Sequence, residues 1–329
     1  MQERPLTFSK NVFLPLTTVC RNRCRYCCFR TPVLEGCIMP PAEVEKTLRA
    51  GARLGCTEAL FTFGERPEEE PGFAAMIRRA GYPSILDYCE SMCRTSIGFG
   101  VLPHTNAGIL SYGEMERLRP VNASMGLMLE TTAQVPAHGG SKGKEPELRL
   151  AMIEDAGRLR IPFTTGLLLG IGERMADREE SLAAIRDIHR RYGHIQEVII
   201  QNFCPKPGTP MADAPVPGTA EICATLRMAR EILPPEIAIQ IPPNLVDASL
   251  LLGCGVDDLG GVSPLTIDYV NPEHPWPALD ELERLAGGRG LSERLCIYPQ
   301  YVRSGWYHPD LEPLINRLAQ TVYGRSSGA

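Results

Sequence analysis

Short apolar runs recur along this chain at a spacing that few folds accept. Candidate strands begin near Val12 (VFLPLTTV), Glu58 (EALFTF), Ser96 (SIGFGVL), Ala123 (ASMGLML), Phe163 (FTTGLLL), Glu197 (EVIIQNF) and Ala238 (AIQI), with a weaker eighth at Asp258 to Ser263. Between them lie Gly-, Pro- and Asn-rich loops and amphipathic stretches. Val44, Leu48, Ala52 and Leu54 form one apolar stripe at helical spacing, and Leu182, Ile185, Ile188 and Tyr192 another. Successive strands mostly lie roughly 30 to 45 residues apart, the length of one βα unit. Seven or eight such units predict an α/β fold closed as a TIM-type (β/α)8 parallel barrel, with an open doubly wound sheet as the alternative. Chemistry in a barrel is expected on the loops after the strand C-termini. No composition shift or Ser/Gly-rich linker interrupts residues 1–329, so one domain is expected. From about residue 275 to 329, helical patterns at Leu279–Ala286 and Leu311–Val322 read as a C-terminal extension packed on the barrel.

Composition narrows the class. Met1 to Lys10 is charged and lacks an apolar signal core, so a cytoplasmic chain is expected. Nothing approaches the roughly 18 apolar residues of a membrane span. The net charge is −5 with the signs interspersed, which argues against a nucleic-acid or anionic-membrane partner. Twelve cysteines are unusual, and in such a chain they do not read as a disulfide framework.

Three of them are grouped. The first strand runs into Cys20-Arg-Asn-Arg-Cys24-Arg-Tyr-Cys27, a C-x3-C-x2-C spacing. Three thiolates this close can ligate three irons of an iron–sulfur cube and leave the fourth open to a substrate. Arg21, Asn22, Arg23 and Arg25 suit a solvated loop beside an anionic cluster. Two alternatives stand: three core cysteines on one helix face, or a structural zinc with Cys28 as fourth ligand. The other nine cysteines, Cys28, Cys37, Cys56, Cys89, Cys93, Cys204, Cys223, Cys254 and Cys296, are expected as small apolar thiols.

The triplet, just after a first barrel strand and with an aromatic before its last Cys, resembles the radical S-adenosylmethionine (SAM) superfamily. The resemblance implies one [4Fe-4S] cluster on Cys20, Cys24 and Cys27, SAM as cosubstrate, a low-potential electron donor and a 5′-deoxyadenosyl radical. It also implies roles for residues elsewhere. Gly64 and Glu65, in Phe63-Gly64-Glu65-Arg66-Pro67, match a Gly-Gly-Glu-like segment that binds the SAM amino group, with Phe63 in place of the first Gly. Glu130, ending an apolar strand, matches an acid that receives the ribose diol. Gly166 and Gly170 belong to a Gly-rich strand against the adenosyl group, although tight strand-to-helix packing explains Gly170 nearly as well. Asn202, in NFCPKPGTPM, matches a segment bordering adenine. Of Lys142, Lys144 and Arg149, Arg149 is taken to pair the SAM carboxylate.

The stretches FTFGERPE and GGVSPLTIDYVNPEHPWP narrow the resemblance to a family of first radical SAM subunits of deazaflavin synthases. That implies a small-molecule substrate, an adduct of a hydroxybenzyl group with a ribityl-uracil, made by a companion radical SAM subunit. It implies hydrogen abstraction, ring closure and ammonia loss, a lyase reaction. Polar groups for the uracil and ribityl parts are expected from His104, Asn106, Gln240 and Asn244. Asp268 and Tyr269 either contact substrate or lock the barrel end. The rivals are another barrel-type radical SAM enzyme, such as the tyrosine-cleaving partner or a menaquinone-pathway relative, and a metal-binding scaffold without turnover.

Overall fold

A computed structural model describes residues 4–324; residues 1–3 and 325–329 of the expected domain lie outside the described residues. Eight parallel strands close on themselves: β1 (Leu6–Thr17), β2 (Glu58–Phe63), β3 (Leu102–Asn106), β4 (Ser124–Gly126), β5 (Phe163–Leu169), β6 (Ile195–Asn202), β7 (Ala238–Gln240) and β8 (Asp258–Val262). They pair in chain order, and β1 bonds to both β2 and β8, which completes the expected (β/α)8 barrel. Around it run α1 (Pro41–Arg53), α2 (Phe73–Arg79), α3 (Ile85–Gly98), α4 (Tyr112–Leu118), α5 (Pro146–Arg158), α6 (Met175–Tyr192) and α7 (Thr219–Ile232). Val44 and Leu48 of α1, and Leu182, Ile185 and Ile188 of α6, are buried in the core between helices and strands. Each such side chain contributes roughly 1.5–3 kcal/mol by leaving water. Every residue of β5 is buried, which is why its apolar run is continuous rather than alternating.

The run at Ser96 is not a strand. Ser84 caps α3 by accepting from the Asp87 N–H (3.1 Å), and the helix runs on to Gly98. Ser96 Oγ then donates to the Val101 carbonyl (2.8 Å), and β3 starts only at Leu102. His104 and Asn106 therefore sit in a strand and not on the loop after it. β1 starts at Leu6 rather than Val12, because its first half pairs with β8 and with an unforeseen ninth strand, β9 (Leu291–Arg294). β9 takes the edge of β1 that β2 takes further along.

The C-terminal segment continues through α8 (Leu279–Ala286), α9 (Pro299–Arg303) and α10 (Glu312–Tyr323). Leu295, Ile297, Leu311, Leu314 and Ile315 pack on Leu102, Ala123 and Ala238, at or just before the starts of β3, β4 and β7. The segment thus plugs the N-terminal end of the barrel. Arg294 points inward, its Nε and Nη2 donating to the two oxygens of Asp258 (2.6 and 2.7 Å) and Nη2 also to Glu197 (2.8 Å).

The cysteine expectation needs correcting. Cys223 on α7 and Cys254 form a disulfide with their Cα atoms 5.4 Å apart. The loop after β7 packs beside α7 and brings together two residues 31 positions apart, a pairing that sequence spacing does not signal. Cys37 is exposed, Cys28 and Cys204 are half-buried, and Cys56, Cys89, Cys93 and Cys296 are buried thiols. Among the described residues no helix is long and apolar enough to cross a membrane.

Candidate active site

Beyond Thr17 the backbone leaves β1 as a loop, so Cys20, Cys24 and Cys27 do not share a helix face. All three are free and half-buried, and they line one cavity of about 190 Å³. The loop is stitched on two sides. Against the end of β2, the Arg21 N–H donates to the Glu65 carbonyl (2.9 Å) and the Glu65 N–H to Cys20 Sγ (3.2 Å). Against residues 137–143, the Arg25 N–H donates to the Ala137 carbonyl (2.9 Å), the Arg23 N–H to Ser141 Oγ (2.9 Å), and Asn22 Oδ1 accepts from the Gly143 N–H (3.0 Å). A Cβ on Gly64 would lie 2.0 Å from the Val19 carbonyl oxygen. The close approach that Gly64 permits is therefore to the cysteine loop itself.

A single metal ion needs its ligands around one point, whereas an iron–sulfur cube takes one thiolate per iron. Among the described residues no three His, Cys, Asp or Glu side chains converge on a single-ion site. Cys28, the fourth zinc ligand of the alternative reading, turns to the Val270 carbonyl (3.5 Å) and does not line the cavity. The three separate thiols fit a cluster better than an ion. Burial raises the Cys20 thiol and pushes Cys27 up to about 11, so thiolates there call for a neighbouring metal charge.

The same cavity gathers Glu65, Glu130, Lys144 and Arg149. Glu65 is buried; its Oε1 accepts from Arg21 Nε (2.9 Å) and its Oε2 from the Ile109 N–H (3.1 Å). Burial raises its pKa, but Arg149, Ile109 and Arg21 outweigh that and hold it below the usual value. A Cβ on Gly143 would sit 1.5 Å from Glu65 Oε1, so only glycine fits beside this carboxylate. Glu130 is also buried, and Lys144 donates to it. Lys144 and Arg149 together outweigh burial and lower its pKa. Its φ of +70° is in the left-handed region, a strained conformation for a non-glycine residue that tends to mark functional positions. Arg149 lies 3.7 Å from each acid and donates to the Met128 and Gly143 carbonyls, both at 2.6 Å. Sequence reasoning ranked Lys144 with solvent-facing lysines; only the fold shows it pointing inward.

A second cavity, also about 190 Å³, is the barrel lumen. His104, Asn106, Gln240, Asn244 and Asp268 line it, as expected of substrate contacts, and so do Asn11, Gln201 and Trp276, which the sequence did not single out. Asn106 lines both cavities. Ser124 Oγ donates to the Cys296 carbonyl (2.8 Å), so the 2.7 Å contact with His104 Nδ1 is a donation from the imidazole. Burial and the Arg294 charge hold the His104 pKa down to about 3, leaving a neutral ring.

Asp268 lines the lumen with its oxygens already taken, and the remaining expected positions lie outside it. Asp268 spends its oxygens on the Val270 and Asn271 N–H groups and on the Asn244 and Asn271 amides, so it locks its own loop. Tyr269 stacks on Phe13 at 5.5 Å and does not line the lumen. A Cβ on Gly166 would lie 2.3 Å from the Ile199 carbonyl oxygen, so this glycine serves β5–β6 packing. Gly170 borders a separate cavity of about 480 Å³ with Pro136, Ile171 and Pro217. Asn202 donates to Cys204 Sγ (3.3 Å) and to the Leu245 carbonyl (3.2 Å), outside the cysteine cavity.

Residues 14–185 match the Radical SAM superfamily. Over 99% of its length the chain is 69% identical to 7,8-didemethyl-8-hydroxy-5-deazariboflavin synthase of Methanoregula boonei, covering 99% of that protein. It is 68% identical to the synthase of the same name from Methanoculleus marisnigri, with 100% of both chains covered. The chain belongs to the deazariboflavin synthase family of radical SAM enzymes. Membership brings SAM and an iron–sulfur cluster. Two solved structures share the synthase fold: the hydrogenase maturase HydG of Carboxydothermus hydrogenoformans (TM-score 0.70, 19% identity, 96% of this chain and 73% of that one) and methylornithine synthase (TM-score 0.66, 17% identity, 94% and 86%).

Proposed function

We propose that this synthase closes the deazaflavin ring. Its substrate is 5-amino-5-(4-hydroxybenzyl)-6-(D-ribitylimino)-5,6-dihydrouracil; hydrogen abstraction, cyclisation, loss of ammonia and loss of one further electron and proton give the product, with SAM, the net oxidant, leaving as methionine and 5′-deoxyadenosine, so the enzyme is a carbon–nitrogen lyase. The observation that carries this reading is the meeting of two cavities at Asn106: one bears three thiols, two acids and three cations, the other is a polar lumen. Cys20, Cys24 and Cys27 would hold a [4Fe-4S] cluster with one iron open to SAM. When bound, that pair supplies a carbon-centred radical able to take hydrogen from an unactivated position.

The chain's own residues bind, orient and shield. Glu65 and Glu130 are ionised at neutral pH and accept from an ammonium and a ribose diol; Arg149 and Lys144 receive a carboxylate. Asn106, at the junction, holds the reacting part of the substrate against the cosubstrate, where closeness decides which hydrogen is taken. The lumen keeps water out and keeps the radical from other targets. Gly166, Gly170 and Asn202 support the barrel mouth. A companion radical SAM subunit supplies the adduct, a low-potential donor supplies electrons, and the reaction takes place in the cytoplasm.

The test is direct. Anaerobically reconstituted, reduced protein is incubated with SAM and the adduct, and deazaflavin fluorescence is followed. Fluorescent product together with 5′-deoxyadenosine is expected. An intact cluster that cleaves SAM but forms no deazaflavin would refute the reading and favour another barrel-type radical enzyme.

A further inference from the structure

The charged groups of the lumen floor satisfy one another. Arg294 is paired with Asp258 and Glu197, Thr164 donates to Glu197 (3.0 Å), and Ser9 donates to Glu58. The carboxamides of the lumen are different. Among the described residues, the side chains of Asn11, Asn106, Gln201 and Gln240 make no hydrogen bond, although all four line the cavity. Asn11 is only 1% exposed, and its Oδ1 is a buried acceptor without a donor. The free amides come from β1, β3, β6 and β7 and sit at different depths. Asn11 pairs in register with Glu58 and Gln240 with Asp258, the first residues of β2 and β8, and the two amides lie against the adjacent glycines Gly261 and Gly260 in the lower lumen. Asn106 and Gln201 are the fifth residue of β3 and the seventh of β6, toward the mouth. At that end Trp276 Nε1 and Asn244 Oδ1 are a further unpartnered donor and acceptor.

A buried polar atom left without a partner destabilises the protein, so Asn11 Oδ1, Asn244 Oδ1 and Trp276 Nε1, with the free amides between them, are expected to be met by a ligand. Its charge is constrained as well, because Arg294, Asp258 and Glu197 below are paired among themselves and Glu58 already accepts from Ser9. The fitting ligand is neutral, elongated, and carries donors and acceptors along its length. Resting on the function proposed above, we infer that the substrate stands upright in the lumen. Its polyhydroxyl chain reaches down to Gln240 and Asn11, and its pyrimidinedione edge lies at the mouth against Asn106, Gln201 and Trp276. Each hydroxyl on the chain offers a donor and an acceptor, as a carboxamide does. This seating places the carbocyclic part of the substrate beside Asn106, where the lumen meets the cysteine cavity.

Binding of two probes to the reconstituted protein tests the seating without turnover. One is the fluorescent product, 7,8-didemethyl-8-hydroxy-5-deazariboflavin; the other is the same deazaflavin with methyl in place of its ribityl chain. Wild-type protein is expected to prefer the ribityl compound by roughly tenfold or more, from several added hydrogen bonds. Asn11→Ala should reduce that preference roughly 3- to 10-fold and leave the methyl compound's affinity unchanged. Gln240→Met, close in shape and free of hydrogen bonds to lose within the protein, should do the same, and it carries the test if Asn11→Ala does not fold. Trp276→Phe should weaken both compounds equally. Asn11→Ala and Gln240→Met variants that weaken both probes alike, or neither, overturn the seating. A protein that converts the adduct but shows no chain preference refutes the seating alone; one that binds neither deazaflavin and makes none refutes the proposed function with it.

Discussion

Replacing Arg294 with Met asks how firmly the C-terminal segment is anchored. Met fills much of the same volume but leaves Asp258 and Glu197 without the cation that now touches both within 2.8 Å. Arg294, Asp258 and Glu197 are 4%, 0% and 4% exposed, so water cannot take its place. Removing one partner of a buried ion pair typically costs about 3–5 kcal/mol. Asp258 keeps the Thr7 hydroxyl and the Gly260 N–H, and Glu197 keeps the Thr164 hydroxyl, which puts the expected loss near about 3 kcal/mol. At roughly 2 °C per kcal/mol in a chain this large, Tm falls by about 6 °C. The loss depends on pH. Burial raises the Asp258 pKa, but the Arg294 charge and hydrogen bonds outweigh it and hold it below the ordinary value. A lowered carboxyl contributes stability above its unfolded pKa and loses it as pH falls through the folded value. Glu197 runs the other way: burial pushes it up to about 8 despite Arg294. Its contribution is present below the unfolded pKa and is lost as pH rises toward that value, and without Arg294 it shifts further up. Both effects make the penalty larger at about pH 7 than at about pH 4, because burial, no longer outweighed by Arg294, raises an orphaned Asp258 and lets it take up a proton in acid. Thermal melts of the two apo-proteins across this range measure it. A drop under about 2 °C at neutral pH, or a larger drop in acid, would refute the reasoning.

Cys20→Ala, Cys24→Ala and Cys27→Ala should each abolish cluster assembly and 5′-deoxyadenosine release, whereas Cys28→Ala, turned to Val270, largely spares both; iron content and product analysis decide it. Gly64→Ala should lower iron retention, because its Cβ would lie 2.0 Å from the Val19 carbonyl oxygen; wild-type iron content in the variant would contradict this. Cys223→Ser releases a cross-link spanning 31 positions and should destabilise the fold by about 3–4 kcal/mol on the chain-entropy account, read as a Tm loss that reductant reproduces in the wild type.

What could be read in advance was what the chain encodes locally. β2 and β5 were legible because each carries an unbroken apolar stretch, Ala59–Phe61 and Leu167–Leu169, in place of polar alternation, as buried parallel strands do. The cysteine loop was legible because its spacing is itself the chemical requirement. SIGFGVL misled because the apolar end of α3 runs straight into the apolar start of β3, and only the Ser84 cap and the Ser96–Val101 hydrogen bond divide them. β9, sequence LSER, has no strand pattern of its own and exists through its pairing with β1. Lys144 looked like any exposed lysine until the 3-10 turn at Lys142–Lys144 aimed it at Glu130. The lumen amides could not be found from sequence, since what distinguishes them is the lack of a neighbour to bond, a property of the folded surroundings. Glu65 and Glu130 were found as acids at strand ends, but not the glycine and arginine packing that keeps them ionised.

The plug formed by β9 and α10 has a further meaning for traffic. A barrel stoppered at its N-terminal end is a vessel with one neck, and the cysteine loop stands at that neck. Whatever is to reach the depth of Asn11 must pass before the neck is filled, and whatever leaves must wait until it is cleared. Order of addition, last in and first out, is then a property of the architecture, set some 280 residues downstream of the first strand by a short stretch of chain that carries no chemistry of its own.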